Sequence, residues 1–309
     1  MQSFIMLVLG FALLVWGADK FVAGASALAR RLGVSPLLVG LTIVAFGTSA
    51  PELAVSVTAA LQGANEIAVG NVLGSNIFNL LVVAGLSALI CPLVMDRTLL
   101  RRDWPLSLLA AAMLCAMIAP DLTLSRLEGV VLLAVFALTL FLQIRAALTG
   151  RNPLDDAAEE IAMPPLMIGV NILLGLACII LGGQLAVSGA TGVARMFGLS
   201  ETLIGLTIVA IGTSLPELVT SLVAARKGQN EIAMGNVIGS NIFNILLILG
   251  VSSVITPIPV LSTSIVDCLV LIGITIVFYL PACRGRLGRF PGALMALCYI
   301  AYTVYLIAR

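Results

Sequence analysis

Two glutamates stand inside apolar stretches of this chain, where a charged side chain is costly. Glu52 and Glu217 each close the pattern Gly-Thr-Ser-x-Pro-Glu, which begins at Gly47 and again at Gly212. An ionised carboxylate near the centre of a bilayer costs at least about 2.5 kcal/mol and must be neutralised by a cation or a proton. Because two glutamates together balance one divalent cation, the repeated pattern predicts a shared cation site.

The pattern belongs to a longer internal repeat. Residues 40–80 and 205–245, aligned at a constant offset of 165, are identical at 29 of 41 positions. The matches fall on Gly, Thr, Ser, Pro, Glu and Asn, residue types that lipid-facing helices avoid, so resemblance between apolar helices does not account for them. The repeat is therefore functional in origin.

Oxygen atoms dominate the chemistry of the repeat. Proline removes one backbone donor and clashes with the preceding turn, so we expect the carbonyls from about Ala45 to Thr48 and from Ala210 to Thr213 to lose their helical partners. The next helix of each copy presents a serine and an asparagine four residues apart, on one helical face. These residues are Ser75 and Asn79, and Ser240 and Asn244. A set of oxygens without sulfur or imidazole suits hard cations such as Ca²⁺, Mg²⁺ or Na⁺.

Composition places these groups in a membrane. Of 309 residues, 61% are hydrophobic and 10% are charged, and the mean hydropathy is +1.17, whereas soluble domains are typically about 25% charged. The six cysteines lack C-x-x-C spacing, histidine is absent and the net charge is only +1, which disfavours a zinc site and a nucleic-acid partner. We expect a multi-pass transport protein, with neither enzymatic activity nor a cofactor.

Ten apolar segments are candidates for spanning helices. They lie at 4–29, 36–61, 66–91, 105–119, 126–146, 165–190, 201–225, 231–255, 263–282 and 290–308. The predicted fold is an all-α membrane protein of ten transmembrane helices, with helices 2 and 7 broken at the prolines. The first half spans 1–148, a polar cytoplasmic linker spans 149–164, and the second half spans 165–309.

The basic residues predict the orientation of the chain, since short cytoplasmic loops are enriched in Lys and Arg. Placing both termini outside puts twelve basic residues in the inner loops and leaves three outside. Arg30 and Arg31 then precede the broken helix of the first copy, whereas Arg226 and Lys227 follow that of the second. The two copies are therefore predicted to be inverted, an arrangement that places a substrate site at their interface in secondary transporters.

Several other polar residues have simpler interpretations. We expect Asn71, Asn76, Asn236 and Asn241 to link helices by hydrogen bonds, and Gly70, Gly74, Gly235 and Gly239 to let helices approach closely. Asp19 and Lys20 are interpreted as a local charge pair. Glu66 and Glu231 begin helices, where a carboxylate meets the N-terminal dipole; attraction of ions to a pore mouth is the alternative.

The repeats resemble the α-repeats of the cation/Ca²⁺ exchanger superfamily, most closely those of prokaryotic sodium/calcium exchangers. The signatures Gly-Thr-Ser-x-Pro-Glu and Gly-Asn-Val-x-Gly-Ser-Asn-Ile-Phe-Asn each occur twice. The resemblance implies calcium ligation by Glu52 and Glu217 with backbone oxygens of Thr48 and Thr213. It further implies flanking sodium sites and a closing pair of asparagines, formed by Ser49, Ser75, Ser214, Ser240, the carbonyls of Ala45 and Ala210, Asn79 and Asn244.

The resemblance also implies how transport is driven. Some family members carry Asp at the position of Asn244, and its absence here disfavours co-transport of potassium. The predicted function is sodium/calcium antiport by a monomer in the inner membrane, with calcium, sodium and lipid as its partners and the first and sixth helices as the moving pair. Proton/calcium exchange stays open, as do a cation channel and a non-transporting scaffold.

Overall fold

The chain forms an all-helical, multi-pass membrane protein. The computed structural model describes residues 1–62, 68–149, 163–198 and 210–308. Within them, seven helices are long and apolar enough to cross a membrane, and one bent pair of shorter helices adds an eighth. The predicted all-α class is confirmed; the described strands are four two-residue segments in two antiparallel pairs.

The helices and strands follow one another in the same order in the two halves. The first half contains α1 (Gln2–Leu32), α2 (Pro36–Thr48), α3 (Ala50–Leu61), α4 (Ala68–Ile90), β1 (Leu93–Val94), α5 (Trp104–Ile118), β2 (Thr123–Leu124) and α6 (Arg126–Thr149). The second half contains α7 (Pro165–Met196), α8 (Ala210–Gly212), α9 (Leu215–Arg226), α10 (Asn230–Ile255), β3 (Ile258–Pro259), α11 (Thr263–Ala282), β4 (Arg286–Leu287) and α12 (Arg289–Ala308). The predicted linker lies almost wholly outside the described residues, as do Glu66 and the first five residues of the second repeat copy.

Three predicted helices are longer than their apolar segments. The first and sixth were predicted to end at residues 29 and 190 but extend to Leu32 and Met196. In the fourth, predicted to start at 105, the chain is already helical from Leu99 in a π-helical turn. That turn contains Asp103, whose buried carboxylate accepts hydrogen bonds from Gln143 Nε2 at 3.0 Å and Arg102 Nε at 2.9 Å. A search for apolar segments misses helical turns whose polar groups are satisfied by neighbours.

The strand pairs define two opposite faces of the bundle. β1 follows α4 and pairs with β4, which follows α11, while β2 follows α5 and pairs with β3, which follows α10. The loops around β1 and β4 carry Arg97, Arg284 and Arg286, so the face with this pair is called the basic face. The opposite one is the β2–β3 face. α10 therefore runs from the basic face to the β2–β3 face.

α1 and α7 pack against each other along their length in antiparallel directions. Both carry glycines seven residues apart, including Gly10 and Gly17 on α1 and Gly175 and Gly182 on α7. A Cβ at Gly17 would lie 2.7 Å from the carbonyl oxygen of Gly175, and one at Gly182 would lie 2.8 Å from that of Gly10. Any side chain here would force the two backbones apart. Because α1 and α7 occupy equivalent positions in the two halves, the pair is built symmetrically.

The interpretation of Asp19 and Lys20 as a local pair is wrong. Lys227, which directly follows α9, places its Nζ 2.6 Å from Asp19 Oδ1 and donates a hydrogen bond to the Asp19 carbonyl at 2.9 Å. Lys20 lies instead over the Trp16 ring, at 5.7 Å from its centroid. Adjacent residues on a helix point in different directions, which is why Asp19 finds its partner on another helix.

Glu231 caps a helix, but not the one that it begins. Its Oε2 accepts a hydrogen bond from Leu37 N at 3.1 Å, in the first turn of α2. The predicted close approach of α10 is confirmed, since a Cβ at Gly239 would lie 2.8 Å from the Leu41 carbonyl and one at Gly235 would lie 3.0 Å from Gly40. For Gly70 and Gly74 on α4, no described atom lies within 4 Å of such a Cβ.

Candidate functional site

The two glutamates occupy matching positions in the two halves of the bundle. Glu52 is the third residue of α3 and Glu217 is the third residue of α9, and both side chains are buried, at 2% and 1% exposure. Each carboxylate therefore lies in the first turn of a helix, where the backbone N–H groups and the helix dipole favour negative charge. Ser49 Oγ donates to Glu217 Oε1 at 2.9 Å, so a serine of one repeat contacts the glutamate of the other.

A backbone break positions each glutamate. α2 and α3 form a bent pair at 48° with Ser49 between them. Ser49 N donates to the Ala45 carbonyl at 3.0 Å, and the next bond across the break runs from Leu53 N to the Ser49 carbonyl at 3.0 Å. Pro51 supplies no N–H, which leaves the Gly47 carbonyl without its usual helical donor.

The expectation that Ala45 would lose its partner is therefore wrong. Its carbonyl accepts from Ser49 N at 3.0 Å and lies 3.3 Å from Thr48 Oγ1. The interruption of the helical ladder therefore begins only after Ala45. In the second copy, Ser214 N donates to the Ile211 carbonyl at 3.1 Å, a shorter turn than in the first copy. Ala210, predicted as the counterpart of Ala45, is the first residue of α8.

Four asparagines join α4 to α10 through a reciprocal network. Asn76 Nδ2 donates to the Asn241 carbonyl at 3.1 Å, and Asn241 Nδ2 donates to the Asn76 carbonyl at 3.2 Å. Asn79 Nδ2 donates to Asn241 Oδ1 at 3.2 Å, and Asn244 Nδ2 donates to Asn76 Oδ1 at 2.9 Å. The interpretation of Asn76 and Asn241 as interhelical links is confirmed. Their bonds also orient the amides of Asn79 and Asn244.

Several oxygens at this interface are buried without a hydrogen-bond partner among the described residues. They are Oε2 of Glu52 and of Glu217, Oδ1 of Asn79 and of Asn244, and Oγ of Ser214 and of Ser240. Buried polar atoms are normally paired, and an exception calls for an explanation such as a bound ion. Two carboxylate and two amide oxygens drawn equally from the two repeats have the chemistry that a hard cation prefers. Ser75 is also buried.

A fifth asparagine, Asn236, binds the threonine beside the break. Thr48 Oγ1 donates to Asn236 Oδ1 at 3.0 Å, and Asn236 Nδ2 donates to Ser221 Oγ at 3.0 Å and to the Glu217 carbonyl at 3.3 Å. The prediction of Asn236 as a helix link is thus confirmed, whereas the equivalent Asn71 is only half-buried. Ser221 was missed by the sequence analysis, although its identity with Ser56 in the aligned repeats was a signal that could have found it.

π-helical turns were also missed. They cover Gly40–Val44, Asn79–Ala84 and Phe243–Leu249, so Asn79 begins one and Asn244 lies in another. Turns of this kind often occur at functional sites. Periodicity does not reveal a single widened turn, and the only sequence mark is a glycine directly after each of the last two, at Gly85 and Gly250.

Broken helices, buried acids and oxygens contributed in pairs define a membrane transporter for cations. The sequence model of the sodium/calcium exchanger protein family matches residues 2–145 and again residues 167–308. The chain belongs to this family, and the resemblance inferred from its repeats is confirmed.

Individual relatives cover nearly the whole chain. The putative antiporter CaxA of Alkalimonas amylolytica is 43% identical over 96% of both chains, and the sodium/calcium exchanger MaX1 of Methanosarcina acetivorans is 36% identical over 98% of both. A solved structure of the sodium-calcium exchanger NCX_Mj has a TM-score of 0.86 at 34% identity, covering 99% of both chains.

Proposed function

We propose that this protein is a secondary active antiporter that exchanges sodium for calcium across the membrane by alternating access, without potassium. The observation that carries the proposal is the pairing of Glu52 and Glu217 at the interface of the two repeats, each with one buried oxygen lacking a partner among the described residues. The membership in the exchanger family supports it.

The proposed architecture has ten transmembrane helices in two inverted five-helix halves. To the eight candidate spans it adds α5 with its preceding π-helical turn, and the broken helix that contains α8 and α9. The double match to the family model at 2–145 and 167–308 supports the two related halves, and the antiparallel packing of α1 with α7 supports their inversion. The halves would be 1–148 and 165–309, joined by the linker at 149–164.

The orientation follows from the basic residues. We assign the basic face to the cytoplasm and the β2–β3 face to the outside, with both termini outside and the protein in the inner membrane. The site forms from residues of a single chain, so a monomer is sufficient for transport.

The proposed ligands divide between the two ions. Calcium takes Glu52 and Glu217, with backbone oxygens of Thr48 and Thr213. Sodium takes the flanking oxygens, which are those of Ser49, Ser75, Ser214, Ser240, Ala45 and Ala210. Asn79 and Asn244 close the ring with the oxygens that the asparagine network leaves without a described partner. Ala45 is the weakest member of this set, since its carbonyl already accepts a hydrogen bond from Ser49 N.

Electrostatics would couple the ions to the change of access. With Glu52 and Glu217 both ionised and no cation bound, moving the site through a low-dielectric barrier is costly, because each uncompensated carboxylate there costs at least about 2.5 kcal/mol. Calcium neutralises both charges, and so does a load of sodium. Either loaded form therefore changes access readily, while the empty form resists the change, and sodium moving down its gradient drives calcium in the opposite direction.

Asn244 accounts for the proposed independence from potassium. Its Nδ2 donates to Asn76 Oδ1, which leaves a neutral oxygen for the ion where an aspartate would add a negative charge. A site with two acids balances calcium without a further cation.

The test is calcium uptake by proteoliposomes under imposed sodium, potassium or proton gradients, run in parallel. Outward-directed sodium should drive uptake, an added potassium gradient should change nothing, and Glu52→Gln should abolish the sodium-driven flux. Uptake driven by a proton gradient and indifferent to sodium would contradict sodium coupling.

Proton coupling is the second candidate because of one observation. The buried Oε2 atoms of Glu52 and Glu217 lack described partners, and a proton could neutralise each of them as a cation does. The proton arm of the same assay decides between the two coupling ions. Single-channel currents in a planar bilayer would instead identify a cation channel.

A further inference from the structure

The two faces of the bundle are closed to different extents. α9 packs along α1 near the basic face, whereas α3, its equivalent in the first repeat, makes no comparable contact with α7. The exposed side of α3 is a shallow, open surface formed by Ala54, Val55, Thr58, Ala59 and Gln62. The β2–β3 side of the molecule is therefore open beside α3.

Burial of equivalent residues confirms this difference. Val55 is 57% exposed, while Thr220, which lies 165 positions later on α9, is fully buried. The surface that α3 leaves open is thus equivalent to a surface that α9 buries. By the repeat equivalence, the segment that would cover the exposed side of α3 in the other access state is α7.

One ion pair bridges the closed contact. Lys227 Nζ lies 2.6 Å from Asp19 Oδ1 and donates to the Asp19 carbonyl at 2.9 Å, so it joins α1 to the end of α9 by two contacts on one residue. The positions equivalent to Asp19 and Lys227 are Gln184 and Gln62. Both glutamines are exposed and neither carries a charge.

We propose that Asp19 and Lys227 form an ionic latch that holds the basic face closed and biases the protein toward the state that is open on the β2–β3 face. In the opposite state, α1 separates from α9 and the pair breaks, while α7 meets α3 with Gln184 facing Gln62. That contact has no charge to replace the one lost. The bias is therefore built into the sequence as a difference between two otherwise equivalent positions.

This inference rests on the proposed alternating access. The shift that the latch causes in the equilibrium between the two access states can be bounded. Asp19 is 47% exposed and Lys227 is 34% exposed, and partly exposed ion pairs shift equilibria by roughly two- to five-fold. The latch thus tunes the balance of the two states without locking either. Such a bias would set the apparent affinity for ions differently on the two sides of the membrane.

Two cysteine reporters would measure the balance. Thr58→Cys reports opening beside α3, and Val223→Cys, at the equivalent position on α9, reports opening beside α1. Each is placed in a variant without native cysteines, reconstituted in nanodiscs that expose both faces, and labelled with a charged maleimide at fixed sodium and calcium. Lys227→Gln and Asp19→Gln should each slow labelling at position 58 and speed it at position 223, so that the ratio of the two rates changes by about two- to five-fold.

Two further variants test the pair itself. Exchanging the charges, with Asp19→Lys and Lys227→Asp together, should restore both labelling rates toward the native values. Gln62→Lys with Gln184→Asp installs the same pair on the other side, at exposed positions that tolerate charge, and should shift both reporters as loss of the native latch does. Lys20→Gln, which removes the neighbouring charge outside the pair, is the control and should leave both rates unchanged.

The outcomes separate the latch from the proposed function. Unchanged labelling in Lys227→Gln, no recovery on charge exchange, or an equal effect of Lys20→Gln would each overturn the latch. The labelling needs no transport, so reporters that respond in a protein without sodium-driven calcium flux would support the latch and refute only the choice of ions. Sodium-driven calcium flux with reporters that do not respond would support the proposed ions and refute the latch.

Discussion

The helices that follow the two breaks, α3 and α9, have related sequences and different surroundings. α9 is buried against α1 and α10, and its Ser221 accepts a hydrogen bond from Asn236. α3 is exposed along the side where α9 is buried. One repeated sequence therefore occupies two environments in a single molecule. Such a sequence cannot be optimised for either environment alone, which is the condition for exchanging the two environments at low cost.

The two glutamates, unlike the helices that follow the breaks, are equally buried. Substitution of either glutamate should therefore cause an equal loss of calcium affinity. Glu52→Gln or Glu217→Gln removes one of the two charges that balance calcium, and truncating one member of a buried charged contact costs roughly 2–5 kcal/mol. Calcium affinity should therefore fall by about 30-fold or more in both variants. The measurement is calcium titration by calorimetry, together with sodium-driven flux in proteoliposomes.

Glu128→Gln is the matched control, because Glu128 is bonded to Ser125 Oγ in the first turn of α6, away from the two breaks. It should leave calcium affinity unchanged. If one of the two site variants kept native affinity while the other lost it, calcium would belong to a single repeat and the symmetric site would be wrong.

Substitution of the paired asparagines, Asn79 and Asn244, should have the next largest effect, which is a loss of stability. Asn244→Asp replaces the donor to Asn76 Oδ1 with an acceptor, and Asn79→Asp does the same opposite Asn241 Oδ1. A buried carboxylate facing an acceptor oxygen should destabilise the ion-free protein by roughly 3 kcal/mol. Added calcium should offset part of the loss, because the new charge can bind it.

Thermal unfolding in detergent, with and without calcium, measures both parts of this expectation. Asn171→Asp on α7, whose amide contacts Met163, controls for the substitution itself. Equal losses in the two site variants would extend the symmetry to the asparagines. A loss that calcium deepens would show that these oxygens do not face the ion.

Substitution of the glycines at the contact between α1 and α7 should reduce stability by less than substitution of the asparagines. Gly17→Ala and Gly182→Ala each place a Cβ within 2.8 Å of the facing helix backbone, and overpacking of this kind typically costs about 1–3 kcal/mol. Gly169→Ala, in the same α7, has no described atom within 4 Å of its Cβ and should be neutral. A fall in the unfolding midpoint for the first two variants alone would confirm that both halves need this close approach.

Sequence singled out the two buried glutamates but did not describe their surroundings. The repeated Pro-Glu pattern identified Glu52 and Glu217 because a buried acid beside a proline has few structural uses. The partner of Asp19 lies 208 positions away, at Lys227, and no local pattern connects them. Which of α3 and α9 is buried and which is exposed was equally beyond reach, since two copies of one repeated pattern predict the same environment.

The helix ends also show which features local sequence patterns predict and which they miss. The broken helix 2 was predicted at 36–61, and the bent pair α2 and α3 occupies those residues, because proline and glycine mark a break directly. The π-helical turn at Leu99–Asp103 was missed because its charged residues look like a loop until the contact of Asp103 with Gln143 is known. Local chemistry predicts breaks, whereas long-range hydrogen bonds decide where polar helices persist.

The smallest expected effect tests the difference between α3 and α9 most directly. Ser221→Ala removes the acceptor of the Asn236 amide and should lower the free energy of unfolding by about 1 kcal/mol. Ser56 is equivalent in sequence and is also buried, but Asn71, the counterpart of Asn236, is only half-buried, so Ser56→Ala should cost less in the same state. Denaturant unfolding in nanodiscs measures the free energy of unfolding of both variants. If Lys227→Gln reduces the difference between the two serine variants in free energy of unfolding, the environments of α3 and α9 interchange as alternating access requires. If Lys227→Gln leaves this difference unchanged, each helix keeps one environment.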